Sequence, residues 1–232
     1  MTMGDQVFWL RDEPARATRR ATPLTRERIV ESAVAELDEH GAERLTMRRL
    51  AQRLEVTSTA LYWHVATKED LLDLALDRAV GEVALPDADD EPRAAIRALM
   101  HGWRVALLAH PWAPVLLGRP TLGPNVLART EFLQAMLTRA GLSGVELASA
   151  ARLLSTHVLG SAMQEVSWRR VDDPALLEKA REHITRRADL YPTLNSSGFL
   201  DAGRHSPDDL FSLGLDRLLT AVLGPASPPR RS

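Results

Sequence analysis

The chain has 232 residues, 45% of them apolar, enough to bury a core and to form one large or two modest domains. Its 29 Lys and Arg against 31 Asp and Glu leave a net charge of −2, which excludes a protein that coats nucleic acid through bulk charge but leaves room for a local basic surface. The absence of cysteine excludes disulfides, thiolate metal sites and thiol catalysis; with no apolar run long enough to span a bilayer, the chain reads as soluble and cytoplasmic, with no membrane partner.

Residues 1–23 read as a flexible arm. Arg11, Arg16, Arg19 and Arg20 precede Pro23, so the arm is either a plain leader or a strand of cations suited to a minor groove. Beyond it the periodicity is helical. Ile29, Ala33, Val34 and Leu37 form one stripe over Arg26–Glu39, with Thr25 as N-cap and Gly41 as a stop in the left-handed region. Thr46 opens a short helix over Met47–Leu54, and Thr57 or Ser58 opens another that ends near His64. Thr67-Lys68-Glu69-Asp70 has capping-box form and starts a helix with an apolar face at Leu71, Leu72, Ala75, Leu76, Ala79 and Val83. The acidic, proline-bracketed stretch Leu85–Pro92 is the boundary between a first domain at 24–83 and a second at 93–223. In the second, helices are expected at about 93–109, 125–140, 145–170, 174–188 and 208–223, with Pro111, Pro114, Pro120 and Pro124 as punctuation. Tyr191–His205 reads as a loop and 224–232 as a disordered tail. Nothing alternates with strand period, so the fold class is all-α.

Arg44–Lys68 is the informative window. Two short helices joined by about three residues, anchored by Leu50, Ala51, Leu54, Val56 and Leu61, have helix-turn-helix spacing. The second helix would send Ser58, Thr59, Tyr62, Trp63 and His64 toward a major groove, where hydroxyls approach base edges and rings pack on thymine methyls or sugar-phosphate. Arg44, Arg48, Arg49, Arg53 and Lys68, against the single acid Glu55, would set its register on phosphates. The same pattern is compatible with core aromatics beside a solvated basic face.

Thr46-x-Arg48-Arg49-Leu50-Ala51-x-x-Leu54, then Val56, then Leu61-Tyr62-Trp63-His64-Val65, Lys68 and Leu71-Leu72, resembles the DNA-binding domain of the Tet repressor family over about residues 24–83. The resemblance implies a DNA-binding surface that includes Thr46. In it Arg48 contacts a base, Ser58, Thr59 and Ala60 face base edges, and Tyr62, Trp63, His64 and Lys68 hold phosphates or their neighbourhood. The family often has glycine in the turn where this chain has Glu55; a positive φ there would cost on the order of 1 kcal/mol.

The second domain resembles the effector domain of the family's tetracycline-sensing members through Ala106–His110, Val115-x-Leu117-Gly118-Arg119-Pro120-Thr121 and Phe211-x-x-Gly214-Leu215. Where those members have a histidine that helps hold a magnesium–tetracycline chelate, this chain has Leu116, and other polar ligand contacts fall at Leu99, Leu133, Thr156 and Gln164. Such a site does not suit a hard, oxygen-liking cation. The expected effector is therefore a larger, mostly apolar or aromatic small molecule. Its pocket would be lined by Leu99, Trp103, Leu116, Phe132, Leu133, Met136 and Met163, with Arg104, His157 and Gln164 as sparse orienting groups. Trp103 aligns with an aromatic that packs on the drug in those relatives. Each of these residues is equally compatible with plain core packing.

No cofactor is expected, and His101, His110 and His183 lie too far apart in sequence to suggest a metal site. No nucleophile-base set, phosphate loop or metal-ligand spacing marks an enzyme. Palindromic operators need two reading heads, so the resemblance implies a homodimer built from the helices at 145–170 and 208–223. Effector binding would shift the 93–109 helix and swing the Leu71–Val83 helix, releasing double-stranded DNA. The alternative is a helical adaptor in which Tyr62 and Trp63 form a protein-interaction hot spot.

Overall fold

The structure is a computed structural model that describes residues 23–117, 121–169, 173–201, 204 and 206–225; all regular structure among them is helical. The arm before Pro23 and the tail beyond Pro225 lie outside the described residues. Among the described residues eleven helices run in chain order: α1 Arg26–His40, α2 Met47–Arg53, α3 Ser58–Tyr62, α4 Lys68–Val80, α5 Pro92–Ala109, α6 Ala113–Leu116, α7 Pro124–Arg139, α8 Gly144–Arg169, α9 Pro174–Arg186, α10 Pro192–Ser197 and α11 Pro207–Leu223. The chain forms two compact units that part between Ala162 and Met163, inside α8.

Side-chain caps set the starts of the first four helices. Thr25, Thr46, Thr57 and Thr67 each accept a hydrogen bond from the backbone N–H three residues on, at 3.0–3.3 Å. Gly41 ends α1 with φ 78 and ψ 166, so it uses glycine's freedom in an extended positive-φ conformation, not the expected left-handed helical one.

Two expectations fail in the second half. The Pro111–Pro120 stretch contains the short helix α6, and the Tyr191–His205 loop contains α10. The reason is shared. Proline is harmless in the first turn of a helix, where the missing N–H has no partner to lose, and Pro114 and Pro192 both sit there. Read as breakers, they hid the helices they begin.

The spine of the first unit is α4. Leu71, Leu72, Leu74, Ala75, Leu76, Ala79 and Val80 are all buried, leaving no broad polar face, because α4 packs against α1 on one side and α5, α6 and α7 on the others. Its C-terminal end is locked to α7 by reciprocal capping. The Asp77 carboxylate accepts from Asn125 N–H (2.9 Å), Asn125 Nδ2 (2.9 Å) and Val126 N–H (3.0 Å), supplying the cap that Gly123, without a side chain, cannot give α7. Gly123 is needed there: a Cβ would sit 2.1 Å from Asp77 Oδ1. In return, Arg129 of α7 donates to the carbonyls of Gly81 (2.7 Å) and Val83 (2.5 Å) beyond the end of α4.

Candidate DNA-reading head and effector body

The reading head is α1–α3 with the start of α4. Leu45, Leu50, Leu61 and Val65 are buried, and they hold α3 by its inner side. The outer side is open: Tyr62 is 51% and Trp63 75% exposed, which removes the core-aromatic reading of both. Thr46, Arg48 and Thr59 are exposed; Ser58, Ala60, His64 and Lys68 are half-buried. Thr46 and Thr57 spend their hydroxyls as caps.

The turn between α2 and α3 is a Schellman motif. Val56 N–H donates to Ala51 C=O (2.9 Å) and Glu55 N–H to Gln52 C=O (3.2 Å), closing α2. Its geometry requires a positive φ at the position that follows the C-cap, and Glu55 supplies it at φ 56, the single non-glycine case among the described residues. The strain expected from the sequence is present.

The basic surface is smaller than the sequence suggested. Arg49 Nε donates to Glu36 Oε1 at 2.7 Å, and Arg53 is bidentate on Glu39 (2.7 and 2.6 Å) while also reaching Glu36 at 3.3 Å. These two arginines therefore bolt α2 onto α1 and are not free phosphate ligands. The guanidinium of Arg53 holds the Glu39 carboxyl below its ordinary range through that hydrogen bond, and Arg53 itself is raised in turn. Lys68 Nζ donates to the Ala42 carbonyl at 3.3 Å. Arg44 and Arg48 remain exposed, and their side chains have no hydrogen-bond or ion-pair partner among the described residues. Glu36, Glu39 and His40 converge closely enough to suggest metal ligands, but two guanidinium groups already occupy the carboxylates.

In the body, Leu99, Trp103 and Arg104 are buried on α5, and Leu133 and Met136 on α7, which packs beside it. Leu116 on α6, Phe132 on α7 and His157 on α8 are half-buried. Met163 and Gln164, at the start of the second unit, are both exposed. Trp103 is 8% exposed, yet its Nε1 has no hydrogen-bond partner among the described residues. A buried orphan donor of this kind costs about 1–3 kcal/mol.

Sequence reasoning missed the polar contacts that join head and body. Asp38, Asp77, His110, Trp112 and Arg129 each pair with a residue more than 25 positions away, and no local pattern signals that.

Two family models match the chain: "Bacterial regulatory proteins, tetR family" over residues 29–75 and "Tetracyclin repressor-like, C-terminal domain" over residues 85–223. An HTH-type transcriptional regulator of Saccharopolyspora erythraea is 42% identical over 199 residues, 85% of this chain and 84% of that protein. The HTH-type transcriptional repressor DrrR1 of Streptomyces coeruleorubidus is 33% identical over 230 residues, 94% of this chain and 83% of its own length. Among solved structures, the Streptomyces coelicolor TetR family protein ActR in complex with actinorhodin superimposes with a TM-score of 0.76 at 29% identity, covering 87% of this chain and 98% of that one. Among the described residues no helix is long and apolar enough to cross a membrane. With one family model on the reading head, a second on most of the remaining chain and a relative at 42% identity, the chain belongs to the TetR family of bacterial transcriptional regulators.

Proposed function

We propose that the protein is a cytoplasmic repressor that binds a palindromic operator as a homodimer and releases it when a small, largely apolar or aromatic effector enters the body. The observation that carries the DNA half is the open outer side of α3. A Trp at 75% and a Tyr at 51% exposure, beside the unpaired Arg44 and Arg48, make a surface with aromatic and cationic groups ready for phosphates and base edges. Two such heads must stand roughly 34–36 Å apart to meet successive major grooves, a spacing that the proposed homodimer has to provide. Leu153 of α8 (47% exposed) and Leu210 and Leu213 of α11 (53% and 49%) are apolar surface that pairing would cover.

The effector half is supported by Leu99, Trp103, Leu133 and Met136, a predominantly apolar lining on the packed helices α5 and α7, and by Leu116 at the position where a chelate ligand would be needed. The unpartnered indole N–H of Trp103 adds one condition. An effector that brings a hydrogen-bond acceptor to it gains a bond with no competing partner among the described residues to displace. ActR, with the same architecture, holds actinorhodin. Release follows if the effector binds the DNA-incompetent arrangement more tightly, since equal affinity for both arrangements shifts nothing.

Fluorescence anisotropy on duplexes from the DNA flanking the gene, across a salt series, tests the reading. Tight binding that exceeds binding to scrambled duplex and weakens in Tyr62→Ala and Arg48→Ala is expected. Binding indifferent to sequence and to both substitutions, repeated with a random-library selection, rejects it and returns the helical adaptor.

A further inference from the structure

We propose that Asp38 is a positioning residue that ties the reading head to the effector body through α1, a route separate from α4. The inference rests on the regulator reading above and concerns how that regulator is wired. Asp38 Oδ1 accepts a hydrogen bond from Trp112 Nε1 at 2.7 Å, and the same oxygen lies 2.7 Å from His110 Nδ1. The other ring nitrogen of His110 faces Glu82 Oε2 at 3.2 Å, just past the end of α4. His110 is 6% and Trp112 3% exposed, and their rings lean on each other with centroids 5.6 Å apart. Moving the 110–112 turn away from Asp38 would therefore leave a buried indole N–H without a partner. Such an orphan is costly, so the contact is made or broken as a unit.

The position of this turn gives the contact its meaning. It joins α5, which carries Trp103 and Arg104, to α6, which carries Leu116; both helices contribute to the proposed effector site. On the other side of the contact, α1 is a single rigid helix. Glu36 and Glu39, on either side of Asp38 in sequence, hold Arg49 and Arg53 of α2. A displacement of the α5–α6 turn thus passes from Asp38 along α1 to the bolts that carry the helix-turn-helix.

A second attachment is what makes this tie informative. The C-terminal end of α4 is fixed to α7 by Asp77 and Arg129. Alongside the packing of α4 on α5, α6 and α7, the polar contact at Asp38 is a second directional attachment, on a different helix, that bears on the angle of the head. A surface cleft of about 230 Å³ bordered by Glu31, Asp38, Arg78, Glu82 and His110 lies beside the tie. The α4–α7 junction is then the fulcrum and Asp38 the latch.

Coupling is reciprocal, so operator binding at the head must be felt at Trp112 in the body. Full-length protein labelled with 5-fluorotryptophan, with the Trp112 signal assigned by Trp112→Phe, is titrated with the selected operator duplex and followed by fluorine NMR. The expected result is a shift of the Trp112 resonance on operator binding. In Asp38→Ala that shift falls below one third of the wild-type value, although the Trp103 and Trp168 signals are retained and the operator still binds within about tenfold. Asp38→Ser, whose hydroxyl is too short to reach the indole, takes its place if the alanine variant does not fold. A stationary Trp112 resonance in operator-bound wild-type protein overturns the inference, as does a shift of wild-type size in either variant. Failure to bind any selected duplex overturns the regulator reading itself, and the anisotropy titration separates that case from the other two.

Discussion

Two charged networks hold this protein together, built from the same residue types and set in opposite surroundings. At the head, Arg49 and Arg53 are 33–39% exposed and Glu39 is half in water, while Glu36, which both arginines meet, is 4% exposed. At the α4–α7 junction, Asp77 (4% exposed) and Arg129 (7%) do not pair with each other directly; they cap each other's helix ends. In water an ion pair gains little, because solvent screens the attraction and competes for both partners. In the interior each charge must be met by hydrogen bonds, and removing one partner strands the rest. The Arg53–Glu39 pair therefore sets geometry at small energetic stake, whereas buried Glu36, like the junction, depends on keeping its partners.

Breaking the junction should give the largest effect. Arg129→Ala strands the carbonyls of Gly81 and Val83 and leaves the Asp77 charge without its nearby cation, a loss of about 3 kcal/mol in a urea unfolding curve. Gly123→Ala approaches that from the other side, since its Cβ must displace the Asp77 carboxylate, for about 1–3 kcal/mol. A loss below 1 kcal/mol in both would mean that the junction is no more than another surface pair.

Next in size is the contrast between the arginines of α2. Arg48→Ala should cost about 1–3 kcal/mol of operator binding and relax the sequence preference, as loss of a base contact does. Arg53→Gln, at the other end of α2 and bonded to Glu39, should leave the salt dependence of operator binding unchanged. Were Arg53 a phosphate ligand, the slope of log K against log salt would fall by about one. Glu55→Gly then relieves the left-handed turn and should stabilise the protein by about 1 kcal/mol, read as a rise in the urea midpoint.

Most of the architecture was legible because it is written locally. Four threonines announce four helix starts, and Glu55 announced its own strain by standing where the turn needs glycine. The outward side of α3 was legible only in part: the anchors Leu50, Ala51 and Leu61 are buried as expected, but the sequence left Tyr62 and Trp63 open between core and surface. What stayed hidden is long-range. Nothing near Asp77 says that α7 will arrive with an uncapped N-terminus, and nothing near Arg53 says that Glu39 will neutralise it. A charge on a helix reads as solvated until its partner is known, so the sequence overstated the basic surface of the head and understated the polar wiring behind it. The proline-led helices α6 and α10 were lost for the local reason that a helix start and a helix breaker use the same residue.

The smallest effect is also the sharpest test of the comparison, because the two networks should respond to pH with opposite signs. Burial raises the Asp77 carboxyl above its ordinary 3.8, and the hydrogen bonds from Val126 and Asn125 offset that only in part. The folded protein then binds this proton more readily than the unfolded chain. Asp77's contribution to stability is fully present below 3.8 and lost as pH rises through the raised folded value. Glu39 behaves in reverse. Its hydrogen bond from Arg53 lowers it below 4.5, so its contribution is present above 4.5 and lost as pH falls through the lowered folded value. Urea midpoints across this acid range should therefore lose part of their downward slope with rising pH in Asp77→Asn, and part of their upward slope in Glu39→Gln. The Glu39 change will be slight, since that carboxylate is in contact with water. Two variants that altered the slope in the same direction would show that burial is not what separates these two carboxylates, since Asp77 is 4% exposed and the Glu39 side chain 51%.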